Sequence, residues 1–346
     1  MNLKKTELDT IIPTKIVGPI KINYNESMNL CSIPLATFEV PIWNSTQRGA
    51  LVSQATSGIN VNVIDDVMTR SVILEAPDLA SALSCKAWIE NNMKSVAELV
   101  GKTSNFAKLK DLHMENIGRL LYVHLGIETG NASGHNMVTK AADAILEFII
   151  SNCENVKYES VSGNYCTDKK VSAINGILGR GKRVSAEIMV PRDVCLKILK
   201  TTPEKIVSLN VKKNLIGSIL SGGIRTANAH YGNTVLAIYL ATGQDGANVT
   251  EASQGITLAD MSEDDLYFSV NLPNIIVGTV GNGKNMRFAI KNLELMECYP
   301  SDPHSSKKLA ALTAAAVLCS ELSLMAALAN QGELMRSHIK LERHKK

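Results

Sequence analysis

The run from Leu309 to Ala329, LAALTAAAVLCSELSLMAALA, most constrains what this chain can fold into. It is the longest apolar stretch in the sequence, rich in alanine, and its polar members are Thr313, Ser320, Glu321 and Ser323. A membrane-spanning helix needs about 20 predominantly apolar residues with few charges. These polar interruptions point instead to a helix buried in a protein core. Such a helix, apolar all round, needs neighbours on every side.

A chain of 346 residues is longer than one core usually serves, so two domains are expected. Its 45% hydrophobic and 20% charged composition is that of a globular protein. The net charge of +3 is too small to indicate a nucleic-acid partner. The basic tail Arg343-His344-Lys345-Lys346 either meets a phosphate or is a solvated end. Seven cysteines, an odd number with no Cys-x-x-Cys, argue against a disulfide framework and a structural zinc site, and fit a reducing cytosol. The N-terminal MNLKKTELDTII has no sustained apolar segment of the signal-peptide type. A soluble cytoplasmic protein without metal is the expectation.

In chain order, residues 11–24 read as extended, with turns at Pro13 and Gly18-Pro19; residues 44–58 are helix-compatible and 60–76 alternate in part like a strand. Residues 77–160 look like a distinct unit. Asp78 caps a helix from Leu79 to about Val100, 117–127 read as a strand, 136–152 as a helix and 155–161 as a closing strand. That sequence of elements suggests a small split βαβ-type domain. Beyond a loop at 162–170 come a helix at 171–181, a strand at 182–190, a helix from Pro191 to about Thr201 and a helix-compatible stretch at 213–241. A strand at 267–280 and a helix at 306–328, broken by Asn330-Gln331-Gly332, lead to a short amphipathic end.

Candidate chemistry gathers in the loops. Ser162-Gly163-Asn164-Tyr165-Cys166-Thr167-Asp168-Lys169-Lys170 sets two ammonium groups after a carboxylate among turn-forming residues. It is a surface turn, or a loop whose lysines meet an anion or a developing oxyanion. Glu39 sits between apolar neighbours, either facing water or raised in pKa as a proton donor. Arg70 either pairs with Asp65 or Asp66, or forks onto a substrate carboxylate. The strand-to-helix connection from Gly126 to His135 can place backbone amides around a phosphate, or be a plain turn. Lys213 and Asn233 flank a small-residue stretch, Asp245 lies in a turn, and His338 is a lone histidine near the end. Gly281-Asn282-Gly283 lacks the ribose-binding acid of a dinucleotide fingerprint. This set permits reductase or transferase chemistry without selecting a reaction.

The motifs resemble those of the 3-hydroxy-3-methylglutaryl-coenzyme A reductase family. SGNYCTDKK at 162–170 is similar to its substrate loop, KNLIG at 213–217 and NAHYGN at 228–233 to its KNLVG and NAHxxN segments. Gly243-Gln244-Asp245 resembles its GQD turn, Gly278-Thr279-Val280-Gly281 its GTVGG loop, and 321–338 its ELSLMAAL…KSH ending with Arg336 for the Lys. The family's DAMGMNM loop stands here as Asn131-Ala132-Ser133-Gly134-His135-Asn136-Met137.

That resemblance implies a four-electron reduction of the thioester to mevalonate with NADPH, or alternatively NADH. Its implied catalytic residues are Lys169 at the oxyanion, Glu39 as proton donor, Asp245 between them and His338 protonating the coenzyme A thiolate. Arg70, Ser162, Asp168, Lys170, Lys213 and Asn233 match positions that hold the hydroxymethylglutaryl part, and Arg48 one near coenzyme A. Ser104, Asn131, Ser133, Gly134, His135, Asn136, Gly281 and Arg343 fall to the cofactor. The fold implied is α+β: a large mixed domain (1–71 and 161–346) with an inserted small ferredoxin-like cofactor domain (72–160). The family works as a homodimer with its active site at the interface. A non-catalytic coenzyme A or nucleotide binder of the same fold is the alternative.

Overall fold

The structure, a computed structural model, describes residues 10–339. Arg343 lies outside them, as do the side chains of Ser337 and His338. The strands are β1 (Thr14–Tyr24), β2 (Ser27–Ala36), β3 (Ile59–Glu75), β4 (Lys108–Ile117), β5 (Leu120–Glu128), β6 (Lys157–Ser160), β7 (Gly181–Val190), β8 (Thr226–Ala227), β9 (Gly255–Ser262) and β10 (Asp265–Ile275). Asn25 and Glu26 take positive φ, 49° and 59°, in the tight turn between β1 and β2.

One strand runs through both halves of the fold. Up to Val67, β3 pairs antiparallel with β7 and briefly parallel with β1, within the order β2-β1-β3-β7-β10-β9-β8. From Met68 to Glu75 it pairs antiparallel with β5 and β6, and β5 carries β4 on its far side. Two hydrophobic cores follow from this split. The first spans the long sheet and the helices Pro41–Gln54, Tyr231–Ala241 and Ser305–Leu328. The second packs β3–β6 against helices Leu79–Asn91, Met93–Thr103 and His135–Asn152. At the crossing the buried Lys182 Nζ sits 3.0 Å from Asp66 Oδ1, and Lys307 Nζ at the start of the long helix lies 3.9 Å from Asp66 Oδ2.

The Ser305–Leu328 helix is long and apolar enough to cross a membrane, yet it is enclosed by protein. Among its residues only Lys307, Lys308, Leu324 and Leu328 escape full burial. Its buried polar groups find partners, as burial requires. Thr313 Oγ1 donates to Leu309 O (2.8 Å), and Ser320 Oγ meets Thr234 Oγ1 (2.6 Å). Glu321 accepts from the Ala229 N–H (2.6 Å), the His230 N–H (3.1 Å) and Thr257 Oγ1 (2.9 Å), so its carboxylate caps the entry to the Tyr231–Ala241 helix.

Several elements differ from the sequence expectation. The single helix expected from Leu79 to about Val100 is two, broken at Asn92, whose side-chain amide turns back to Trp88 O at 2.8 Å. Asp78 does cap the first of them, accepting from the Ser81 N–H at 2.7 Å. The strand expected at 117–127 is the second arm of a hairpin; its first arm, β4, is half-exposed and carries no clean alternation. Ala173–Leu178 is all that forms of the helix at 171–181, because Gly179 and Gly181 turn the chain into β7. The stretch 213–241 is interrupted by β8, and β9 was not anticipated.

Helix-on-helix contact is closest where Gly49 meets the long helix. A Cβ built on Gly49 lies 2.2 Å from the Cys319 carbonyl oxygen, and backbone cannot yield as a flexible side chain can. Gly49→Ala is therefore expected to destabilise the protein by about 1–3 kcal/mol, the usual cost of overpacking, measured as a lower denaturation midpoint in urea.

Candidate active site

The long helix, the β3 crossing and the second core bring four loops together. They are residues 130–137, the 162–170 loop, the 243–245 turn and the 278–284 loop. An open pocket of ≈ 760 Å³ lies among them, lined by Arg70, Ala132–Met137, Asp168, Lys169, Gly243–Asp245 and Val280–Lys284. The Thr279 N–H donates to Asn131 O (2.9 Å), and Ala132 pairs with Val280 as an isolated parallel bridge. A Cβ on Gly278 would fall 2.5 Å from Ser133 N, so only glycine permits that approach. The Gln244 side-chain amide joins the third loop to the fourth. Its Nε2 donates to Gly278 O (2.9 Å) and its Oε1 accepts from the Gly278 N–H (3.0 Å).

At the centre, Lys169 Nζ lies 2.7 Å from Asp245 Oδ2. This hydrogen bond is the main reason the Lys169 ammonium titrates above its ordinary range and the Asp245 carboxyl below its own. Both ends are more than a third exposed, so the contact fixes charge and position more than it adds stability. Lys169 holds a left-handed backbone, φ 54°, unusual for a side chain of its size.

That backbone is fixed from beneath. The Lys169 N–H donates to Glu251 Oε1 (3.1 Å), which also accepts from Arg180 Nη1 (2.9 Å) and Asn248 Nδ2 (3.1 Å). Arg180 is 1% exposed, and its Nη2 reaches Asp168 Oδ1 at 3.1 Å, off the line of an ideal hydrogen bond. One buried guanidinium thus pairs with two carboxylates and holds both ends of the Asp168-Lys169 step. The His135 imidazole, 3.6 Å from Asp168 Oδ1, and then the Arg180 charge hold the Asp168 carboxyl far below its usual range. Burial pushes Glu251 upward, against the Arg180 charge. Behind the loop, Ser71 Oγ accepts from the Tyr165 and Cys166 N–H groups, and the buried His124 ring meets Tyr165 edge-on at 5.4 Å. Burial, followed by the neighbouring His113, brings His124 down to about 4, so it is neutral near pH 7.

Among the residues singled out from sequence, the pocket gathers Arg70, Ser133, Gly134, His135, Asn136, Asp168, Lys169, Asp245 and Gly281. Arg70 Nη1 also reaches Ser162 Oγ (3.4 Å), and Lys170 Nζ turns onto the Asp168 carbonyl (3.2 Å). Within the single chain, others lie elsewhere. Glu39 is exposed, its N–H bound to Thr37 Oγ1 (3.0 Å). Arg48 pairs with Glu333 (2.6 Å) and Ser323 (2.8 Å). Lys213 is half-buried in the π-helical segment Asn210–Gly217, and Asn233 is exposed on its helix. Ser104 ends the Met93–Thr103 helix and accepts from the Phe106 N–H (3.3 Å). His338 ends the helix Glu333–His338. Asn131 ties its loop to the long helix: its amide donates to Asp302 O (2.6 Å) and its Oδ1 accepts from the Ser306 N–H (3.2 Å). A carboxylate at 131 could accept but not donate.

Sequence reading missed Arg180, Glu251 and Lys284. Arg180 sits between two glycines and gives no local hint of burial; its role depends on Glu251, 71 positions away. Lys284 lies in the pocket wall, 7% exposed, and among the described residues its ammonium has no ion-pair or hydrogen-bond partner. For a dinucleotide the site offers closely packed glycine-rich loops, the N-terminus of the 18-residue helix His135–Asn152 and that unpaired ammonium. These residues fit a phosphate-bearing cofactor.

Comparison with known proteins agrees with the motifs. Residues 9–343 match the family described as Hydroxymethylglutaryl-coenzyme A reductase. The 3-hydroxy-3-methylglutaryl-coenzyme A reductase of Pyrococcus abyssi is 42% identical over 337 residues, covering 96% of this chain and 82% of that one. That of Methanocaldococcus jannaschii is 40% identical over 337 residues, covering 96% and 82%. Among solved structures, the class II 3-hydroxy-3-methylglutaryl-CoA reductase of Streptococcus pneumoniae, bound to NADPH in open conformations, is similar in fold. The TM-score is 0.76 at 18% identity, covering 94% of this chain and 87% of that chain.

The Arg180 pairs generate an expectation for stability. Arg180→Ala leaves the buried Glu251 carboxylate without its cation, a change that usually costs about 3–5 kcal/mol. Urea denaturation should show a loss of that size, with Arg180→Lys intermediate because one ammonium cannot fork onto both carboxylates.

Proposed function

The chain belongs to the hydroxymethylglutaryl-coenzyme A reductase family, and we propose that it reduces 3-hydroxy-3-methylglutaryl-coenzyme A to mevalonate and free coenzyme A in the pocket around Lys169. The observation that carries this reading is the 2.7 Å contact between Lys169 and Asp245, in a wall shared with the glycine-rich loops. It is an oxidoreductase, and we take its cofactor to be NADPH, the ligand named for the pneumococcal structure, with NADH as the alternative. A bound nicotinamide supplies the hydride for each of two successive two-electron reductions, of the thioester and then of the aldehyde.

The protein's own residues handle charge and protons. In both reductions the carbonyl oxygen gains negative charge, and the Lys169 ammonium meets it from a position already fixed by Glu251 and Asp245. Asp245 keeps that ammonium protonated. Glu39 supplies a proton to the developing alcohol. When the carbon–sulfur bond breaks, the electron pair leaves on sulfur, and His338 protonates the thiolate so that it does not recapture the aldehyde. Arg70, Ser162, Asp168 and Lys170 hold the hydroxymethylglutaryl part; the ionised Asp168 is suited to accept from its hydroxyl.

Glu39, Arg48, Lys213 and Asn233 do not reach the pocket of their own chain, which supports a homodimer in which they face the Lys169 loop of a second copy. We read residues 72–160 as an inserted ferredoxin-like cofactor domain. Support comes from the order strand–helices–strand–strand–helix–strand and the sheet order β6-β3-β5-β4. Cofactor contacts are assigned to Ser133, Gly134, His135, Asn136 and Gly281 in the pocket, with Ser104, Asn131 and Arg343 by family likeness. All seven cysteines are free and buried, which supports a reducing, cytoplasmic setting. We propose no nucleic-acid or membrane partner.

Purified protein should oxidise NADPH, read by nicotinamide absorbance, only when the thioester is present. Lys169→Ala should lower kcat by about 10²–10³-fold, the cost of losing one oxyanion partner; unchanged turnover rules out its role. Cofactor binding without any turnover in the unaltered protein favours a non-catalytic binder instead. The pH profile carries a second expectation. Because Asp245 raises the Lys169 pKa, the charged form survives to higher pH, and the alkaline limb of kcat lies above the ordinary lysine range. Asp245→Asn removes that influence, so the limb should move to lower pH.

A further inference from the structure

Resting on the nicotinamide-dependent reading above, we propose that Lys284, together with the uncapped start of the His135–Asn152 helix, forms the subsite for the diphosphate of the cofactor. Its side chain is 7% exposed and lines the same pocket as Lys169, yet no carboxylate or hydrogen-bond acceptor among the described residues meets its ammonium. An ammonium largely shielded from water and left unpaired at a pocket wall is stabilised by an anion in that pocket. Burial pulls the Lys284 ammonium toward neutrality, and the more distant Asp245 only partly opposes this.

The carboxylates of the pocket are already committed. Asp245 is taken by Lys169, and Asp168 by Arg180 and His135. Arg70 lies by the substrate loop, bound to the neutral hydroxyls of Thr139 and Ser162. Lys284 belongs instead to the loop fastened to the helix start by the Thr279–Asn131 hydrogen bond and the Ala132–Val280 bridge. That helix begins at Gly134, φ 95°, and no side chain caps its first amides. Free N–H groups, the positive helix end and a largely shielded ammonium therefore line one pocket.

The diphosphate is the anion that fits. Reduction requires the nicotinamide ring near Lys169, and the diphosphate is one ribose away from that ring. The 2′-phosphate lies a further ribose beyond, on the adenosine side. Because NADPH and NADH share the diphosphate, Lys284 should strengthen both alike and select neither.

Calorimetric titration of Lys284→Met with NADPH and, separately, with NADH tests this. Both dissociation constants should rise by about 10–100-fold and by the same factor, the weight of a charge-assisted contact. Lys284→Arg should stay within a few-fold of the unaltered protein, and KM for the thioester should not move. Inorganic pyrophosphate should compete with both cofactors on the unaltered protein, a measurement that holds even where the Met variant fails to fold. Unchanged cofactor binding by a folded Met variant, weakening confined to NADPH, a shift only in thioester KM, or absence of pyrophosphate competition each overturns the subsite. An unaltered protein that binds neither cofactor overturns the nicotinamide reading itself, which separates the two failures.

Discussion

Everything in this fold answers to one requirement, the enclosure of the Ser305–Leu328 helix. A helix with no polar face cannot lie on a surface, so a sheet and several helices close around it. Close approach then demands small residues at the contact, as where Gly49 meets the Cys319 backbone. The same enclosure gives the buried Glu321 a use: its carboxylate collects the amides that begin the Tyr231–Ala241 helix. The helix start reaches the site too, because Ser305 Oγ meets Thr279 Oγ1 at 2.6 Å and Ser306 Oγ donates to Gly130 O at 3.0 Å.

The second constraint is that β3 serves two sheets. Its first half belongs to the core around the long helix and its second half to the core beneath the glycine-rich loops. The pocket sits where these two bodies meet, a common place for a ligand site. Arg180 then sets the chemistry. By pairing with both Asp168 and Glu251 it fixes the backbone on which Lys169 stands, in a left-handed conformation the loop would not hold by itself.

Much of this was legible along the chain. The apolar stretch read correctly as a buried helix, and Asp78 as a cap, because both signals are local. The hairpin arm β4 was missed because its half-exposed strand has no clean alternation, and the break at Asn92 because a side chain folding back onto Trp88 leaves no mark in helical spacing. In the site, Lys169, Asp245 and Asp168 stood out as charges in turn-rich loops. Arg180 did not, since an arginine between glycines reads as a surface turn until its two carboxylates are brought to it.

The sequence by itself determined which family the chain belongs to, which loops carry charge, and that a large core must form around residues 309–329. These follow from residue identity and short-range spacing. Tertiary structure decided which charges are paired and which stand alone. Arg180 is neutralised by residues both near and far in the chain, whereas Lys284, in the wall of the same pocket, has no partner among the described residues. Pairing and burial depend on distances between segments far apart in the chain, and only the packed cores fix those distances.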